Sequence, residues 1–129
     1  LAKYYLARAH FNDKDYLAAS SYLNEIADAS FKLAQFPVNI YKMLAFIALD
    51  DGNQAAAMDY YEQALAKSEV AQQEQNISLD LANVLLTMGD FGRSLELVQK
   101  VLDEATPRTP AHNRAEELIG RIEFAQSAG

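Results

Sequence analysis

The chain has 129 residues, half of them hydrophobic, which is one domain's worth of sequence with enough apolar material for a core. It has no cysteine, which excludes a disulfide framework and a thiolate metal site and is compatible with an intracellular or a periplasmic location alike. With 11 Lys+Arg against 18 Asp+Glu the net charge is −7, which argues against nucleic acid as a partner, and no apolar run approaches the roughly 20 residues of a membrane span.

The sequence opens at Leu1, already inside a helical pattern and without a basic-then-apolar signal segment, and so reads as a piece of a longer protein. Helical periodicity dominates and strand alternation is absent. A first helix is expected over about Leu1 to Phe11. Asn12-Asp13-Lys14-Asp15 forms a turn in which Asp13 or Asp15 caps a second helix. That helix carries Tyr16, Ala19, Leu23 and Ile26 on one face and ends past Asp28, with room to run to Ala34. Pro37 suits the first turn of a third helix with Tyr41, Leu44, Ile47 and Ala48. Asp51-Gly52-Asn53 ends it, and Asn53 caps a fourth helix with Ala57, Met58, Tyr61, Ala64 and Leu65. The polar stretch Gln72 to Gln75 opens a fifth helix whose apolar face holds Leu81, Val84 and Leu85. Gly89-Asp90 stops it and caps a sixth, with Phe91, Leu95, Val98 and Leu102. Thr106 to Pro110 is a loop, with Thr109 as cap and Pro110 as the first position of a seventh helix bearing Leu118, Ile119, Ile122 and Phe124.

The chain repeats itself. Leu6-Ala7, Leu44-Ala45, Leu81-Ala82 and Ile119-Gly120 pair a large apolar residue with a small one, at steps of 44−6=38, 81−44=37 and 119−81=38. A small residue follows each of the first three at +13: Ala19, Ala57 and Ser94. Leu23, Tyr61 and Val98 follow at +17, and Ile26, Ala64 and Val101 at +20. Small residues at both sites let the two helices of a hairpin approach closely. A period in this range is the mark of a helical solenoid.

These residues resemble the tetratricopeptide repeat (TPR), a helical hairpin with a period near 34 residues. The likeness covers nearly the whole chain. It implies an all-α fold, a right-handed α-α superhelix of about seven antiparallel helices, as a single TPR-like domain over 1–129. Repeat 1 would span about 1–36, repeat 2 about 37–70 and repeat 3 about 71–107, with a capping helix over about 110–127 that covers the sixth helix. The chain departs from the family at several points. The repeat-ending proline is missing from the first two units, Lys3 and Ser78 stand where a large aromatic is common, and Gln54 replaces the turn aromatic supplied elsewhere by Tyr16 and Phe91.

In the family the first helix of each repeat lines the concave face. Carried onto this sequence, the resemblance selects three columns: Tyr4, Lys42 and Leu79; Tyr5, Met43 and Asp80; Arg8, Phe46 and Asn83. Tyr and Arg are frequent binding anchors and Met adapts to irregular partners, so a groove with Tyr5, Met43 and Phe46 suits an apolar peptide or an amphipathic helix. The same stripe is equally what helix packing would produce. Some members of the family grip a chaperone's terminal carboxylate. The positions for that clamp hold Tyr4, Arg8, Met43, Asn76 and Asp80 here, with one cation and an opposing carboxylate, so that ligand is not expected.

No residue pattern points to catalysis, a metal or a cofactor. His10 and His112 are far apart in sequence, and no phosphate loop or nucleophile elbow occurs. Asn12 to Asp15 lacks the glycine and distal glutamate of a calcium loop, and Asn76-Ile77-Ser78 matches a glycosylation sequon inside an expected helix. Asp103-Glu104 and Glu116-Glu117 are most simply solvated faces, the alternative being that the acid concentrated in the later repeats meets a basic partner. The expectation is a non-catalytic module that binds a peptide or protein partner. The alternative is a structural segment that self-associates or spaces other parts of a longer chain.

Overall fold

A computed structural model of the chain describes residues 2–26 and 36–128. The described residues form seven α-helices and no strand: α1 (Ala2–Asn12), α2 (Tyr16–Ile26), α3 (Phe36–Asp50), α4 (Gln54–Lys67), α5 (Ala71–Met88), α6 (Phe91–Glu104) and α7 (Pro110–Ala128). The expected extension of the second helix past Asp28 falls outside the described residues. The chain divides into two compact units, Leu1–Lys67 and Ser68–Gly129, a boundary that falls between the second and third repeats. In the first unit α1 packs on α2, α3 on α4, and α2 on α3; in the second α5, α6 and α7 pack mutually.

Each hairpin turns by the same backbone device. One or two residues past the end of the first helix, a residue sits in the left-handed region: Lys14 at φ 63°, Gly52 at 77° and Gly89 at 87°. Its N–H donates three residues back, to Phe11, Leu49 and Leu86 carbonyls at 3.0, 3.0 and 3.1 Å. The next N–H, from Asp15, Asn53 or Asp90, donates five residues back, to His10, Ala48 and Leu85 at 2.8, 2.8 and 2.9 Å. This pair of bonds satisfies carbonyls that a helix end leaves open. The same Asp15, Asn53 or Asp90 then caps the second helix, its side chain accepting from the N–H of Ala18, Ala56 or Arg93 at 3.4, 3.1 and 3.3 Å. Of the two aspartates able to cap α2, Asp15 does so.

The small residues lie where the helices of each hairpin meet. Ala7 and Ala19, Ala45 and Ala57, and Ala82 and Ser94 are all fully buried. In the third hairpin Ser94 Oγ donates to the Ala82 carbonyl at 2.7 Å, so a hydroxyl takes the place of the alanine methyl and finds a partner across the hairpin. Ala111, Ala115, Leu118 and Ile122 of α7 share one buried cluster with Leu79 of α5 and Val98 and Val101 of α6, so the seventh helix does cover the sixth. Thr109 starts α7, accepting from the His112 N–H at 3.3 Å while donating to the Thr106 carbonyl at 2.7 Å.

Lys14 occupies a conformation that glycine holds in the other two turns, at a cost of about 1 kcal/mol for an L side chain. Lys14→Gly is expected to stabilise the protein by about 0.5 kcal/mol after the extra freedom of glycine in the unfolded chain is counted. Gly89→Ala is expected to destabilise by about 1 kcal/mol through backbone strain alone, because a Cβ there meets no atom within 4 Å. Urea denaturation of the two variants should give opposite signs.

Candidate functional site

The nine residues selected from the sequence fall into different environments. In the first unit, Tyr4 is buried and its hydroxyl accepts from Asn39 Nδ2 at 3.3 Å, tying α1 to α3. Tyr5, the next residue along, is 52% exposed and sets its ring edge-on to Tyr4, with centroids 5.5 Å apart. Arg8 is exposed, and Lys42 and Met43 are half-buried. Phe46 is 46% exposed, yet its ring is engaged on one side. It packs edge-on against Phe11 at 5.3 Å and Tyr16 at 5.9 Å, while Phe11 and Tyr16 lie 5.6 Å apart. The three rings form a triangle that joins the α1–α2 turn to α3.

In the second unit Leu79 is fully buried in the shared cluster and presents no side chain to solvent. Asp80 is half-buried and accepts a hydrogen bond from Arg114 Nη2, a charged tie between α5 and α7. Asn83 is half-buried and its Oδ1 is enclosed without a hydrogen-bond partner; its carbonyl accepts from Thr87 Oγ1 at 3.0 Å.

Repeat register relates the two units residue by residue. A shift of 114−39=75 carries Asn39 of the Tyr4 bond onto Arg114 of the Asp80 pair. The partner is not carried with it: Tyr4 goes onto the buried Leu79, and Asp80 stands at the place of Tyr5, so α1 and α3 are joined by a neutral bond and α5 and α7 by an ion pair made one residue further along.

A groove in the second unit was not selected from the sequence. Leu86, Thr87 and Gly89 at the end of α5, Phe91 at the start of α6, and Glu117, Gly120, Arg121, Phe124 and Ala125 of α7 line it. Leu86 and Phe91 are half-buried against the shared cluster, and Phe124 is 75% exposed. The sequence carried a signal for it: Phe11, Leu49, Leu86 and Phe124 each stand five residues after a large–small signature, an apolar column beside the three that were chosen.

The histidines have local partners. His10 stacks on Tyr22 at 5.8 Å with its Nδ1 3.4 Å from an Asp15 carboxylate oxygen, and His112 Nδ1 lies 3.1 Å from Glu116. Among the described residues no three His, Asp or Glu side chains are grouped to hold a metal ion, and no helix is long and apolar enough to cross a membrane. The chain matches no protein-family model, and no curated protein is significantly similar to it.

The aromatic triangle makes Phe46 more than a surface ring. Phe46→Ala is expected to destabilise the protein by about 1.5 kcal/mol, from lost ring pairs and lost apolar burial. Tyr5→Ala, with half of the side chain's surface already in water, should cost less, about 0.5 kcal/mol. Denaturation midpoints of the two variants test that order.

Proposed function

We propose that the chain is a TPR-like solenoid segment that binds a peptide or a partner protein through the surface of its first helices, without catalysis of its own. One observation carries this reading: a hairpin built three times with the same turn, cap and small-residue contact, whose first helices leave side chains such as Tyr5, Arg8 and Phe46 exposed. Repeated hairpins of this kind make extended surfaces, and an exposed tyrosine beside an arginine is the usual material of a binding anchor. The right-handed superhelical arrangement belongs to the same proposal.

Tyr5 and Arg8 are the residues to test, because Phe46 also supports the fold. Tyr5→Ser combined with Arg8→Glu is expected to weaken capture of a specific partner from lysate by about tenfold or more, as loss of an anchor does. Helicity should stay unchanged. Undiminished capture would remove the first unit's exposed face from the proposal.

A second reading, self-association, draws on a different observation. Leu6 and Leu17 are 45% and 86% exposed, whereas Leu44, the repeat equivalent of Leu6, is 2% exposed. An apolar edge of this kind can seat another helical layer, including a second copy. Sedimentation equilibrium should then show a concentration-dependent mass that Leu6→Gln with Leu17→Gln abolishes; a constant monomer mass rejects this reading.

A further inference from the structure

The two units fill one and the same position differently. Adding 75 to Phe11, Tyr16 and Phe46 gives Leu86, Phe91 and Arg121. In the first unit the third member is a ring, seated edge-on against the other two at 5.3 and 5.9 Å. In the second unit the third member is Arg121, which is exposed and, unlike Arg114, held by no ion pair among the described residues. The outcome is the open groove between Leu86, Phe91 and α7, walled by the exposed Phe124 and bordered by Gly120, where a Cβ would meet nothing within 4 Å. The first unit therefore contains, as part of its own chain, an occupant of the site that the second leaves open.

From this equivalence we infer that the groove of the second unit is a notch for an aromatic side chain from a basic peptide segment. The inference rests on the binding-module reading above and names the class of ligand for one part of its surface. The ring takes the place that Phe46 takes in the first unit, against Leu86 and Phe91. Phe124 closes over it from α7. Arg121 lies beside the ring and supplies a cation to its face. The chain already uses that pairing elsewhere, with Lys67 Nζ 5.8 Å from the centre of the Tyr41 ring. Flanking basic residues follow from charge: residues 68–129 hold 5 Lys+Arg and 10 Asp+Glu, a net charge of 5−10=−5, with Glu117 in the groove wall itself.

The test uses the whole 129-residue chain, isotope-labelled, titrated with the capped tripeptide Lys-Phe-Lys and with Lys-Gly-Lys as control. Amide shifts centred on Phe91, Gly120, Arg121 and Phe124 with the first peptide, and absent with the second, are the expected result. Arg121→Phe restores the ring that the first unit has. It should raise the melting temperature and weaken the Lys-Phe-Lys peptide about tenfold, since an anchor's place is taken. Phe124→Ser removes an exposed wall without touching the core and should weaken the peptide as well. Shifts that centre elsewhere, or that persist unchanged in Arg121→Phe, overturn the notch. So does an absence of saturable shifts, or a dimer that Arg121→Phe dissolves, since the occupant is then another copy of the chain. The Tyr5 and Arg8 variant separates the two proposals. It should leave the tripeptide shifts intact, and its effect on partner capture judges the module reading independently of the notch.

Discussion

Everything in this fold is hung on one turn. A left-handed residue closes the first helix of each hairpin, and the residue after it serves two helices at once. Its N–H satisfies a carbonyl of the helix just ended, and its side chain satisfies an N–H of the helix just begun. Because each turn is this short, the second helix must return along the first, and the contact between them is fixed to one register. The fully buried small pairs, Ala7 with Ala19 and its two equivalents, are the consequence. A larger side chain at any of them would push the helices apart or force strain, a cost of about 1–3 kcal/mol in a packed interior.

Within that frame the units differ in what joins a hairpin to the helix that follows it. In the first unit α1 is tied to α3 by a neutral hydrogen bond, Tyr4 with Asn39. In the second, α5 is tied to the closing helix α7 by the half-buried ion pair Asp80 with Arg114. Nearby, three rings form a triangle in the first unit, and their equivalents in the second are Leu86, Phe91 and Arg121, with no apolar side chain in the third place. A repeat scaffold allows this because the backbone geometry depends on turns and small residues, leaving the exposed columns free to vary. Packing requirements have already been met by Leu79, Val98, Ala115, Leu118 and their neighbours.

That division explains how well the sequence could be read. Apart from the end of the second helix, which lies outside the described residues, the helices stand where periodicity, caps and prolines put them, because those signals are local. Asp15, Asn53, Asp90 and Thr109 cap, and Gly52 and Gly89 turn left-handed. Lys14 in the same conformation was not legible, since nothing in a lysine announces a positive φ; the equivalence to Gly52 by a step of 52−14=38 was the available clue. Surface selection was harder. Tyr4 and Tyr5 are adjacent and chemically alike, yet one is buried and bonded and the other half in water. Leu79 belongs to the core, and Phe46 belongs in part to a ring cluster with Phe11 and Tyr16.

The sequence by itself determined the helices and their caps, because each depends on residues within one or two turns of each other along the chain, and its matched spacings determined the internal repeat. Only the tertiary structure decided which side of each helix is covered and by what. Burial depends on side chains 34 or 35 residues away, such as Arg114 for Asp80 or Asn39 for Tyr4, and a period fixes their register without fixing their chemistry. The open notch beside Arg121 is the sharpest case: position alone made it equivalent to Phe46, and only the packing around it showed a site left unfilled.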